Sequence, residues 1–98
     1  MIVRIVKMTL IPEKLSEFRE RYNTVESAIR NFDGCRHAEL LTSVEHDGVV
    51  FTYSLWDSAS HLELYRKSEL FRTTWAGVKP LFASKAQAWT LERQSSEK

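Results

Sequence analysis

Residues 35–56 read CRHAELLTSVEHDGVVFTYSLW, and the parsing of this stretch sets the order of the whole chain. Its two ends, Cys35 to Glu45 and Val49 to Trp56, are rich in strand-forming residues. Between them His46-Asp47-Gly48 carries an Asp-Gly pair, which favours a tight hairpin. Two antiparallel strands are therefore expected. Side chains on a strand alternate with period two, so Val49, Phe51, Tyr53 and Leu55 share one face of the second strand while Val50, Thr52, Ser54 and Trp56 share the other. The first face is largely apolar. The second combines two hydroxyls with an indole, a composition suited to the wall of a partly polar cavity.

Upstream of this pair the period changes. Leu15, Phe18, Tyr22, Val25, Ile29 and Phe32 recur at steps of three and four, which predicts one helix over residues 13–32 with an apolar stripe. Glu17, Glu20, Arg21 and Arg30 fill the solvated side. Pro12 suits the first turn, and Asp33-Gly34 supplies a stop. Before the helix, Ile2 to Leu10 reads as a strand. Downstream, Asp57 and Ser58 are good N-caps for a short helix through Lys67, and Ser68 caps another that carries Phe71, Trp75, Val78 and Phe82 along one side. Ala83 to Leu91 reads as the last strand, and residues 92–98 as a polar, aperiodic tail.

The order is strand, helix, strand, strand, helical segment, strand. With right-handed crossovers this gives an α+β, ferredoxin-like fold: a four-stranded antiparallel sheet with the helices on one face, a single domain over residues 1–91. A chain of 98 residues with 43% hydrophobic content has enough for one core. It cannot also cover the far side of the sheet, and the simplest cover is the same face of a second copy, so a homodimer of the dimeric α+β barrel kind is expected.

The net charge of +1 is scattered, with no basic stripe, so neither nucleic acid nor a membrane surface is an expected partner. Arg4 and Lys7 interrupt the N-terminal apolar run, which rules it out as a signal peptide core or membrane span, and a cytoplasmic protein is expected. A lone cysteine, Cys35, has no internal disulfide partner. Strand alternation puts Cys35, His37 and Glu39 on one face, but no H-x-x-x-H or C-x-x-C spacing completes a site, so no metal is expected. The three glycines form no phosphate-binding run, and no cofactor is expected.

The stretch from Trp56 to Phe71, WDSASHLELYRKSELF, resembles the signature of antibiotic biosynthesis monooxygenase domains: a Trp closing the third strand, a capped helix, then Ser68 twelve residues on and the aromatic Phe71 after it. The resemblance extends through Pro12 and its helix, Gly34-Cys35, and Lys79-Pro80-Leu81-Phe82, covering residues 1–91. It implies a dimeric fold of the kind derived above and, for some members, cofactor-free oxygenation of aromatic polyketides or quinols. Two histidines often found in the family are replaced here by Tyr65 and Leu70. An Asn of the haem-degrading branch is replaced by Val6 or Lys7, so haem degradation is not implied.

Ground-state dioxygen reacts slowly with closed-shell molecules, so such an enzyme needs a substrate that is itself easily oxidised, such as a phenolate or hydroquinone anion. The protein must supply an apolar cavity and a few polar groups that favour the anion. The resemblance makes Trp56 a pocket residue; Tyr65 would donate a hydrogen bond to a substrate oxygen, and His61 could act as a base. Thr52 and Ser54 on the sheet, with Phe71 and Trp75 on the last helix, would bind a small aromatic substrate. Each also has a packing role available to it. A small-ligand binder without turnover, such as a stress-associated module, is the second reading.

Overall fold

The computed structural model describes residues 1–94. Strand β1 (Ile2–Thr9) leads through a 3-10 turn at Pro12–Lys14 into helix α1 (Leu15–Arg30). Strands β2 (Cys35–Thr42) and β3 (Val49–Trp56) follow, then helices α2 (Ala59–Arg66) and α3 (Glu69–Val78), and finally β4 (Gln87–Glu92). The sheet order is β2-β3-β1-β4, antiparallel at every pairing. This is the ferredoxin-like α+β arrangement expected from the element order, with the sequence-distant strands β1 and β3 at its centre.

The α1 stripe behaves as its spacing requires. Phe18, Tyr22 and Ile29 are buried, and Leu15 and Val25 pack against the same core, which also contains Met8, Val50 and Ala38. Arg30 at the end of α1 donates from Nε to the Ala38 carbonyl, 2.7 Å away, and so ties the helix to β2. On β3 the alternation resolves as the sequence indicated: Val50 and Trp56 are buried on the helix side. The opposite face carries Val3, Ile5, Phe51 and Leu55, with Trp89 44% and Leu91 49% exposed beside them.

Several boundaries move. β2 ends at Thr42, so residues 43–48 form a longer loop instead of a tight hairpin. There the Ser43 hydroxyl accepts from the N–H groups of Glu45 and His46. Gly48 has φ +81°, and its carbonyl accepts from Leu10 N–H at 2.7 Å. β4 begins at Gln87 because the preceding residues are held differently: Phe82 bridges Leu10, and Ala83 N–H donates to the Thr9 carbonyl. β4 also takes in Glu92, and Arg93 N–H donates to the Met1 carbonyl, so the sheet runs into the segment expected to be tail; residues 95–98 of that segment lie outside the described residues.

One correction concerns β2. A bulge between Cys35 and His37 breaks the alternation, pairing Cys35 with Trp56 but His37 with Leu55. Cys35 therefore packs against the core, while His37 and Glu39 lie on the opposite face, 3.5 Å apart. The three do not share a face, because the extra residue shifts the phase. Among the described residues no group of three His, Cys, Asp or Glu side chains could hold a metal ion, and no helix is long and apolar enough to cross a membrane.

Helix α1 ends at Arg30, and the chain reaches β2 through Gly34 at φ +85°. A Cβ at this position would overlap the His61 side chain. Gly34→Ala is therefore expected to lower the stability by about 1–3 kcal/mol through backbone strain and this clash. Adding His61→Ala should recover only part of the clash component, because the His61 Cβ that alanine keeps would itself lie 2.5 Å from the added carbon. Urea denaturation of the single and double variants measures both; an unchanged midpoint for Gly34→Ala would refute the account.

Candidate functional site

A cavity of about 320 Å³ lies between the helix-facing side of the sheet and the three helices. That is the lower end of the roughly 300–1,000 Å³ typical of ligand pockets. The sheet supplies its floor, with Val6 and Met8 from β1 and Thr52, Ser54 and Trp56 from β3. Phe18, Tyr22 and Ile29 close it from α1, and Tyr65, Phe71 and Trp75 from α2 and α3.

Trp56 is fully buried, and its indole N–H donates to the Ser54 hydroxyl at 2.9 Å. Tyr65 stacks on it with ring centres 4.9 Å apart, and meets Phe32 and Phe71 edge-on at 5.4 Å and 5.3 Å. Phe71 in turn lies parallel to Trp75 at 5.8 Å. The bend between α2 and α3 holds this row in place. Ser68 donates its hydroxyl to the Tyr65 carbonyl at 2.6 Å and accepts from Phe71 N–H at 3.1 Å, so one side chain pins the backbones that carry the two rings.

Of the residues singled out in the sequence, Thr52, Ser54, Trp56, Tyr65, Phe71 and Trp75 converge on the cavity. His61 is not on its wall. It stands at the start of α2, where its Nδ1 and the Ser58 hydroxyl are 2.8 Å apart, its backbone N–H donates to the same hydroxyl, and its ring packs against Gly34. The Ser58 cap that starts the helix also turns the imidazole toward the α1–β2 connection. Six wall residues with polar groups were not singled out: Arg4, Tyr22, Tyr53, Arg66, Thr74 and Gln87. Arg4 carried a signal, since it shares the β1 parity of Val6 and Met8, where a charged residue is out of place. Tyr22 lay within the helical stripe and was indistinguishable there from ordinary core.

The wall has a definite electrostatic character. Burial pushes the Tyr65 phenol up to about 12, so it is a donor and not a base at neutral pH. Its hydroxyl has no hydrogen-bond partner among the described residues and is available to a guest. Burial, with Glu26 beside it, raises Tyr22 as well. Arg4 is held below an ordinary guanidinium, first by burial and then by the Arg66 cation. Among the described residues, no Asp, Glu or His lines the cavity. The site can hold an aromatic ring, donate hydrogen bonds and stabilise negative charge.

Fold and cavity together define a small α+β domain with an aromatic-walled chamber beneath its helices. Residues 1–76 match the family described as antibiotic biosynthesis monooxygenase, and the chain belongs to that family. Solved structures agree in fold. Rv0793 from Mycobacterium tuberculosis is 21% identical with a TM-score of 0.89, the match covering 99% of this chain and 98% of that one. A protein from Caulobacter crescentus CB15 is 21% identical at TM-score 0.90, over 96% and 90% of the two chains. A structure described as an antibiotic biosynthesis monooxygenase is 14% identical at 0.89, over 97% and 100%. Comparison with curated proteins found no match.

The buried phenol gives a pH prediction. Tyr65 has its folded pKa raised from 10.0 to about 12, so the stability it confers is intact below pH 10 and is lost as pH rises through 12. Between those limits the protein should lose about 2 kcal/mol more than a Tyr65→Phe variant, read from denaturation midpoints against pH. Parallel curves for the two proteins would contradict the assignment.

Proposed function

We propose that this chain is a monooxygenase that oxidises a small phenolic or quinol-like aromatic with dioxygen, without a cofactor, as a cytoplasmic homodimer. Family membership supports the reaction class. The observation that carries the reading is the cavity itself, an aromatic chamber in which, among the described residues, the Tyr65 hydroxyl has no partner and no acid lies on the wall. Its volume suits a fused-ring guest of modest size.

The chemistry balances without an outside reductant. A phenol with an open para position takes up one oxygen atom as a second ring carbonyl, the other oxygen leaves as water with the two displaced hydrogens, and all four electrons come from the substrate. The reactive form is the phenolate. The chamber's tasks are to exclude water from the ring, to favour that anion and to hold the ring while oxygen attacks. Tyr65 donates to the substrate oxygen, Trp56 and Trp75 confine the ring, and Thr52 and Ser54 offer further hydroxyls from the sheet. The absence of a wall base among the described residues favours a second reading, a binder that holds such aromatics without turnover.

The dimer is argued from the open sheet face. Val3, Ile5, Phe51, Leu55, Trp89 and Leu91 give it an apolar stripe across three strands, and a patch of this kind on a chain this short calls for cover. A second copy provides it symmetrically.

Oxygen-electrode assays across a panel of phenols and quinols test the activity. Consumption should exceed the uncatalysed rate for at least one compound and fall about 100-fold in Tyr65→Phe. Saturable binding with no consumption would establish the binder instead. Sedimentation tests the assembly: the native chain should run as a dimer and Phe51→Asp as a folded monomer, and a monomeric native chain would dispose of the proposal.

A further inference from the structure

Arg4 occupies an unusual position. It lies on a central strand, on the helix-facing side, paired across the sheet with Ser54 and Thr90. Its neighbours of the same parity, Val6 and Met8, are cavity floor, and Arg4 lines the cavity with them. Its Nη1 donates to the Thr90 hydroxyl at 2.6 Å, which orients the head group, but a guanidinium has five N–H donors. The Arg4 guanidinium is only partly withdrawn from solvent, so its remaining donors stay free for water or for a guest in the cavity.

Among the described residues no carboxylate lies within ion-pair distance of Arg4. The acid that acts on it from farther away, Glu63, is already shared with Arg66 at 3.5 Å and Lys67 at 3.9 Å. Arg66, half exposed, lines the same cavity. Two cations thus face a chamber whose other polar groups are neutral, beside a row of aromatic rings.

We infer that the chamber selects an aromatic anion, its ring among Tyr65, Phe71 and Trp75 and its negative oxygen on the guanidinium of Arg4, with Arg66 as a second cation where the cavity opens. The inference rests on the cavity being the ligand site proposed above, and it names the charge of the ligand. It also supplies what the wall otherwise lacks. A phenol held against two cations ionises more readily, so the oxidisable anion forms without a protein base. Thr90 is a positioning residue, acting through Arg4.

Binding of 2-naphthoate and of its neutral isostere 2-naphthamide, followed by quenching of tryptophan fluorescence in the full-length protein, separates the possibilities. The acid should bind about 10-fold or more tightly than the amide, the usual scale of a hydrogen bond to a charged group. Arg4→Met should bring the ratio close to one while leaving the amide's affinity within about two-fold, since apolar burial of the ring is unchanged. If Arg4→Met does not fold, Thr90→Val and Arg66→Gln serve in its place, each cutting the ratio several-fold with the amide unaffected. Equal binding of acid and amide by the native protein, or an unchanged ratio in the variants that fold, overturns the anion site while leaving the chamber a ligand site. Failure of both compounds to bind overturns the chamber reading as well.

Discussion

The indole of Trp56 is the element on which the rest of the molecule depends. It closes β3, is removed entirely from solvent, and meets Phe32 beyond α1 and Tyr65 on α2. A buried indole N–H left unpaired costs about 1–3 kcal/mol, and here the partner comes from the same strand, two residues back, where Ser54 shares the helix-facing side. Strand alternation thus fixes the large ring and its acceptor together. With its polar edge satisfied within β3, Trp56 offers its face to Tyr65, and the aromatic row that walls the cavity starts there.

The helices complete this arrangement through capping. Ser58 and Ser68 each accept a backbone N–H at the start of a helix, and each also engages a second group. For Ser58 the second group is the His61 imidazole, which fixes that ring away from the chamber. For Ser68 it is the Tyr65 carbonyl, which locks the bend that brings Tyr65 and Phe71 together. Residues that terminate helices therefore also set which side chains reach the cavity.

The amphipathic stripe of α1, the capped pair of short helices and the two faces of β3 were legible in the sequence because each rests on a local period or a local hydrogen bond. Other features depended on register between distant strands. The bulge in β2 divides Cys35 from His37, and nothing in the run from Cys35 to Thr42 marks it. His61, a candidate base in the sequence, is held off the cavity wall by the Ser58 cap. Arg4 was read only as a charge interrupting an apolar run; its meaning emerged once Val6 and Met8 were seen on the cavity floor and Thr90 across the sheet. Two-state amphipathic pattern, charge included, is visible in a sequence; cross-strand company is not.

The bulge in β2 has a bearing on how this fold can vary. It separates the geometry of the turn at Gly34, which must present its carbonyl to Asp57 N–H, from the register of the ladder between Ala38 and Thr42. A residue gained or lost at that junction can be absorbed locally. The same change a few positions later would rotate Ala38 and Leu40 outward and carry Glu39 into the interior. Length variation in this part of the chain is thus confined to a single permissive joint.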